Sequence, residues 1–119
     1  MVENLQVEQL ERNGVVVVAV AGELDAYTAP KLRQAVVEAL AGRTDRLVMD
    51  LSSVRFIDST GLGVLLGVRR RLPAPGQLRL VVTSVSVARL LSITGLHNVF
   101  ETYQSRDGAT GRAGPPGAV

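Results

Sequence analysis

The segment richest in chemical possibility is Phe56-Ile57-Asp58-Ser59-Thr60-Gly61-Leu62-Gly63. Two apolar residues lead into an acid and two hydroxyls, two glycines follow at alternate positions, and an apolar stretch with helical spacing comes after. This order puts Ser59 and Thr60 at the start of a helix, where backbone N–H groups lack partners and the helix dipole presents its positive end. Two readings fit. The hydroxyls can simply cap the helix, as Ser and Thr commonly do there. Alternatively, Ser59 can accept a phosphoryl group, because a helix N-terminus accommodates an added phosphate better than almost any other surface. Local physics leaves both open. A second acidic position, Asp25, lies in Gly22-Glu23-Leu24-Asp25. If the strands preceding Asp25 and Asp58 are parallel neighbours, both loops emerge at one edge of the sheet, and a binding surface at the carboxyl ends of the strands follows.

Other chemistries fit less well. Carboxylates with a hydroxyl could hold Mg²⁺, but such sites usually draw on substrate phosphates as well, and a solvated turn is the simpler role for Asp25. The helix start is not a phosphate-binding loop of the Gly-x-x-x-x-Gly-Lys type, since the chain's one lysine is Lys31. It is not a nucleophile elbow either, because Ile57 stands where Gly-x-Ser-x-Gly needs its first glycine. His97, the only histidine, would have to reach Ser59 from the end of another helix to act as its base. Arg69-Arg70-Arg71 falls at a helix C-terminus, where cations complement the dipole, and a nucleic-acid surface would need basic residues spread along one face.

Composition narrows the classes further. The chain has 119 residues, 46% hydrophobic and 20% charged, enough for one domain with its own core. It has no cysteine, which excludes disulfides, thiolate metal sites and a Cys nucleophile. Aromatics make up 3%, too few for base-stacking platforms, and the formal charge is +2. No direct nucleic-acid partner is expected. The longest apolar run, Val15 to Ala21, is far short of the roughly 20 residues a membrane-spanning helix needs. With an acidic start at Glu3 and no signal-like segment, the expectation is a cytoplasmic protein without a membrane partner.

These positions need a frame to hold them. Leu5 to Leu10 alternates as an edge strand, Asn13-Gly14 supplies a hairpin turn, and Val15 to Ala21 reads as a central strand ended by Gly22. Thr28 can cap a helix with Pro30 in its first turn, running to about Ala41 and stopped by Gly42. Arg46 to Leu51 is a third strand, and Ser52 to Asp58 a connection with Val54, Phe56 and Ile57 directed inward. A second helix covers Gly61 to Leu72 and stops at Pro73-Ala74-Pro75-Gly76. A fourth strand follows at Leu78 to Val82, then a third helix from Val85 to about Thr94, capped by Thr83 or Ser84 and closed by Gly95. Val99 to Tyr103 is a short fifth strand. The order predicts an α/β domain over residues 1–104, a small mixed sheet of four to five strands with helices mainly on one face. From Ser105 onward, Gly108, Gly111, Gly114, Gly117, Pro115 and Pro116 predict a disordered tail over 105–119.

Gly22-Glu23-Leu24-Asp25, Leu47-Val48-Met49-Asp50-Leu51-Ser52, the Phe56 to Gly63 segment, and Ile93-Thr94-Gly95-Leu96 with Val99-Phe100 occur in that order. Together they resemble the STAS domain, and within it the bacterial anti-sigma factor antagonists, from about Leu5 to Tyr103. The resemblance implies a regulatory protein with no catalysis, no metal and no cofactor of its own. It implies phosphorylation of Ser59 by a partner that is both anti-sigma factor and serine kinase, and removal of the phosphate by a metal-dependent serine phosphatase. The unphosphorylated form then binds the anti-sigma factor and releases sigma factor, through a surface of Asp25, Asp58, Ser59, Thr60, Gly61 and Leu62, with no small-molecule ligand. Thr60 stands where many members have a second Ser, and Gly108 with the residues after it works against the C-terminal helix that many members carry. A second reading within the resemblance is an accessory subunit of a membrane transport complex, with the Ser59 region docked on a nucleotide-binding subunit. Direct nucleotide binding or hydrolysis at the helix start lacks a lysine and a purine-pocket signature.

Overall fold

A computed structural model describes residues 4–41, 46–72 and 77–111. Its sheet has five strands in the order β1-β2-β3-β4-β5: β1 Leu5–Arg12, β2 Val15–Leu24, β3 Leu47–Ile57, β4 Leu78–Val81 and β5 Glu101–Tyr103. β1 and β2 form an antiparallel hairpin, and each later pairing is parallel. The hairpin turn has Asn13 at φ 53° and Gly14 at φ 76°, the positive values a two-residue turn requires. Because the strands add in one direction, successive crossovers of one hand put α1 (Ala29–Ala39), α2 (Ser59–Arg71) and α3 (Val85–Ile93) on the same face.

The main core lies between those helices and the sheet, built from Val16, Val18 and Val20 of β2, Leu47, Met49 and Leu51 of β3, and helix residues such as Leu32, Val36, Leu65 and Leu91. Positions on the other face of the sheet, Val15 and Val17 of β2, Val48 of β3, Val81 of β4 and Tyr103 of β5, form a smaller second core. Continuous valines in β2 therefore mark a strand buried on both sides.

Several boundaries differ from the sequence-based expectation. β2 does not end at Gly22 but continues to Leu24; Gly22 sits at φ +110°, and a methyl group there would collide with the Asn4 carbonyl. That carbonyl accepts from Glu23 N at 2.7 Å, so the glycine lets the start of the chain close onto β2. β3 runs to Ile57 and absorbs the expected connection from Ser52, paired to β2 as far as Leu24–Ile57. In this extension Val54 and Ile57 are buried as expected, but Phe56 faces outward, because register irregularities at Ala19/Ala21 and Gly22/Glu23 break the alternation. The expected stops at Gly42 and Pro73 to Gly76 lie outside the described residues.

The largest correction concerns the C-terminal segment. Residues Arg106–Thr110 form a short helix, α4, and Ala109 and Thr110 are buried against the second core. Ser105 caps it by accepting from Gly108 N at 3.0 Å, Arg106 pairs with Asp50, Asp107 with Arg12 at 2.7 Å, and Arg79 donates to the Ala109 carbonyl at 3.0 Å. A five-residue helix containing a glycine has little stability alone, and partners distant in sequence hold it. The remainder of the expected tail, 112–119, lies outside the described residues. Among the described residues no helix is long and apolar enough to cross a membrane.

Candidate functional site

The carboxyl ends of β2 and β3 bring the two predicted loops together. Leu24 and Ile57 are register partners on adjacent parallel strands, so Asp25 and Asp58 leave the sheet side by side. Asp58 N donates to the Leu24 carbonyl at 3.2 Å, which ties the second loop to the first. Gly61 completes the contact: a β-carbon there would lie 2.8 Å from the Leu24 carbonyl and 2.7 Å from Ile57, so only glycine lets the first turn of α2 sit against β2. Gly63, by contrast, meets nothing within 4 Å.

The capping role falls one residue earlier than the hydroxyls. Asp58, in extended conformation, is the N-cap of α2, and its Oδ1 accepts from Gly61 N at 3.0 Å. Its carbonyl accepts from Leu62 N at 3.0 Å. Ser59 is therefore the first residue of the helix rather than its cap. It is exposed, and its Oγ has no hydrogen-bond partner among the described residues. Thr60 follows half-buried, and Leu62 turns into the core. Asp58 thus satisfies an orphan amide of the helix and leaves the neighbouring hydroxyl unoccupied.

Asp25 has a structural duty that its loop position did not reveal. Its Oδ1 accepts from Tyr27 N and Thr28 N, each at 3.0 Å, while Asp25 N donates back to Thr28 Oγ1 at 3.0 Å. Thr28 Oγ1 donates in turn to the Glu23 carbonyl at 2.8 Å. This reciprocal pair has the logic of a capping box and leads the chain into α1, so Asp25 rather than Thr28 is the effective cap. Thr28 is buried and holds the Asp25 loop in place. The Asp25-x-x-Thr28 spacing was a signal for it in the sequence. The site is an edge where two acids are fixed by backbone amides and one hydroxyl is held outward.

The remaining candidates lie elsewhere. His97 is exposed in a 3₁₀ turn, Leu96–Asn98, after α3, and no hydrogen bond joins it to Ser59. Arg69, Arg70 and Arg71 occupy the last turn of α2, at the opposite end of that helix from Ser59. Among the described residues no three His, Asp or Glu side chains converge as a metal site would require.

Comparison with known proteins gives a consistent result. Residues 6–109 match the STAS domain family. The chain is 34% identical over 104 residues to an anti-sigma F factor antagonist of Paenibacillus polymyxa, covering 86% of this chain and 89% of that one. Its fold matches the crystal structure of an anti-sigma factor antagonist from Mycobacterium paratuberculosis, with a TM-score of 0.81 at 34% identity over 88% of this chain and 90% of the other. It also matches the Bacillus cell fate determinant SpoIIAA in its phosphorylated form, with a TM-score of 0.61 at 25% identity, covering 87% and 94% of the two chains.

Proposed function

From the premise that the chain belongs to the STAS domain family, as its match over residues 6–109 establishes, we propose that it is an anti-sigma factor antagonist switched by phosphorylation of Ser59. In the unphosphorylated form it binds an anti-sigma factor that is also a serine kinase, and sigma factor is released. Phosphate on Ser59 ends that binding, and a metal-dependent serine phosphatase restores it. The protein works in the cytoplasm and contributes no catalysis of its own.

The observation that carries this reading is the uncommitted Ser59 Oγ at the first position of α2. A kinase needs a hydroxyl that it can reach and that is not tied into the fold, and the Asp58 cap leaves Ser59 in that condition. A phosphate adds about −1.5 to −2 charge. At Ser59 that charge joins the edge that already carries Asp25 and Asp58. A partner surface matched to the neutral hydroxyl then meets a larger, strongly hydrated anion, and affinity falls without refolding. The structurally similar Bacillus SpoIIAA exists in a phosphorylated form, which supports a covalent switch on this fold.

Incubation with the purified anti-sigma factor kinase and ATP should add one phosphate, about 80 Da for the phosphoryl group. Fragmentation should place it on Ser59. Phosphate on Thr60 alone, or undiminished phosphorylation of Ser59→Ala, refutes the assignment.

A further inference from the structure

β4 pairs with β3 only over Leu47–Asp50, so β3 projects past it from Leu51 to Ile57 with β2 on one side alone. α3 folds across the open side of this projection, and a groove of about 260 Å³ lies between them. Ile57 and Leu90 form its apolar floor, Phe56 and Ile93 stand at its mouth, and Arg55 and Arg89 form its rim. Phe56 is 50% exposed and Ile93 75%. Arg55 has one loose ion contact, to Glu23 at 3.6 Å, with 70% of its side chain exposed. Arg89 is exposed and has no ionic partner among the described residues.

We propose that this groove is a docking site for the anti-sigma factor, taking an apolar side chain of that partner flanked by carboxylates. The inference rests on the reading of Ser59 as the switched partner contact and extends it to a second surface, since Phe56, near the end of β3, lies three residues before Ser59, the first residue of α2. Clustered exposed apolar residues with a polar rim mark a protein contact. The charge on that rim selects the occupant. A second copy of the chain docking through the same groove would oppose arginine with arginine, an unfavourable arrangement in an isologous interface. An acidic partner segment instead pairs with both guanidinium groups while its apolar side chain covers Phe56 and Ile93. The groove is smaller than the ~300–1,000 Å³ typical of small-molecule pockets, and its concavity suits a side chain rather than a flat bilayer.

The test is calorimetric titration of the full-length chain with the purified anti-sigma factor, paired with phosphorylation kinetics. Arg55→Glu/Arg89→Glu should weaken binding about tenfold or more, and Ile93→Ser should weaken it about fivefold, the scale of a contact at a packed interface. In both variants KM for Ser59 phosphorylation should rise while kcat holds. Arg70→Glu/Arg71→Glu, an equal charge change at the far end of α2, should leave binding within about twofold. Equal binding by wild type and groove variants overturns the groove proposal and leaves the Ser59 reading intact. Failure of the wild type to bind the anti-sigma factor, together with no phosphate on Ser59, overturns both. Self-association abolished by Ile93→Ser, or retention on phosphatidylglycerol vesicles abolished by Arg55→Glu/Arg89→Glu, assigns the groove to another occupant and overturns the proposal.

Discussion

One acid–serine pair lies within β3 and another just beyond its C-terminal end, and the two pairs have opposite hydrogen bonding. At the first, Asp50 is 4% exposed; its Oδ1 accepts from Ser52 Oγ at 2.6 Å and from Ser52 N at 2.9 Å, and its Oδ2 accepts from Arg106. At the second, Asp58 caps α2 through Gly61 N, and Ser59 stands exposed with its hydroxyl unoccupied. The residue types are the same, but in the first pair every polar group closes the molecule, and in the second one group is held out. Burial acts against the charge on Asp50, yet the Ser52 hydroxyl and amide and the Arg106 guanidinium outweigh it and hold the carboxyl below its ordinary range. Ser59 differs from Ser52 in having no hydrogen-bonding task.

The closed pair can be broken most severely by removing what it anchors. Deletion from Ser105 onward takes away α4, uncovers Val15, Val17 and Tyr103, and leaves Asp50 without Arg106. The expected loss is about 3 kcal/mol or more, a fall in Tm of roughly 10 °C, read by calorimetry. A change of only a degree or two would mean that α4 merely rests on the sheet. A smaller break, Asp50→Asn, keeps the shape and removes the charge that Arg106 and Ser52 address, costing about 1–2 kcal/mol near pH 7. The sign of its pH dependence follows from the lowered pKa. The wild-type carboxylate contributes stability above the ordinary range, and that contribution is lost as pH falls through the native value, so wild type and Asp50→Asn should converge in chemical denaturation below about pH 4. A constant gap down to pH 2 would show that the charge is not the stabilising feature.

The parts of the fold legible in the sequence were those determined by near neighbours. Asn13-Gly14, the valine run of β2, the Ser84 cap and the left-handed Gly95 each carry their reason within a few residues. α4 was not legible because its supports, Asp50, Arg12 and Arg79, lie 30 to 95 residues away, while its local composition points to disorder. The same limit hid the outward turn of Phe56, which depends on irregular pairing with β2. The site was legible to within one residue. The sequence puts Ser59 at the helix start and offers the hydroxyls as caps, but Asp is as good a cap as Ser and Asp58-x-x-Gly61 has the required spacing. Asp25 lies at the sheet edge its loop predicts, and its exchange with Thr28 is the additional feature of the fold there.

That one-residue shift sets the finest test of the contrast, between neighbours on one turn. Asp58→Ala removes the acceptor of Gly61 N and should cost about 1 kcal/mol, the usual effect of losing an N-cap. Ser59→Ala removes an exposed hydroxyl with no bond to lose and should shift stability by about 0.5 kcal/mol or less. Urea unfolding of both variants reads the difference as a displaced midpoint for the first and a near-unchanged one for the second. If the two midpoints move together, Ser59 shares the capping task, and its hydroxyl is not free in the sense the switch requires. If only Asp58→Ala moves, Ser59→Ala becomes a clean probe, because any change in phosphorylation or partner release then reports the hydroxyl itself and not a loosened helix.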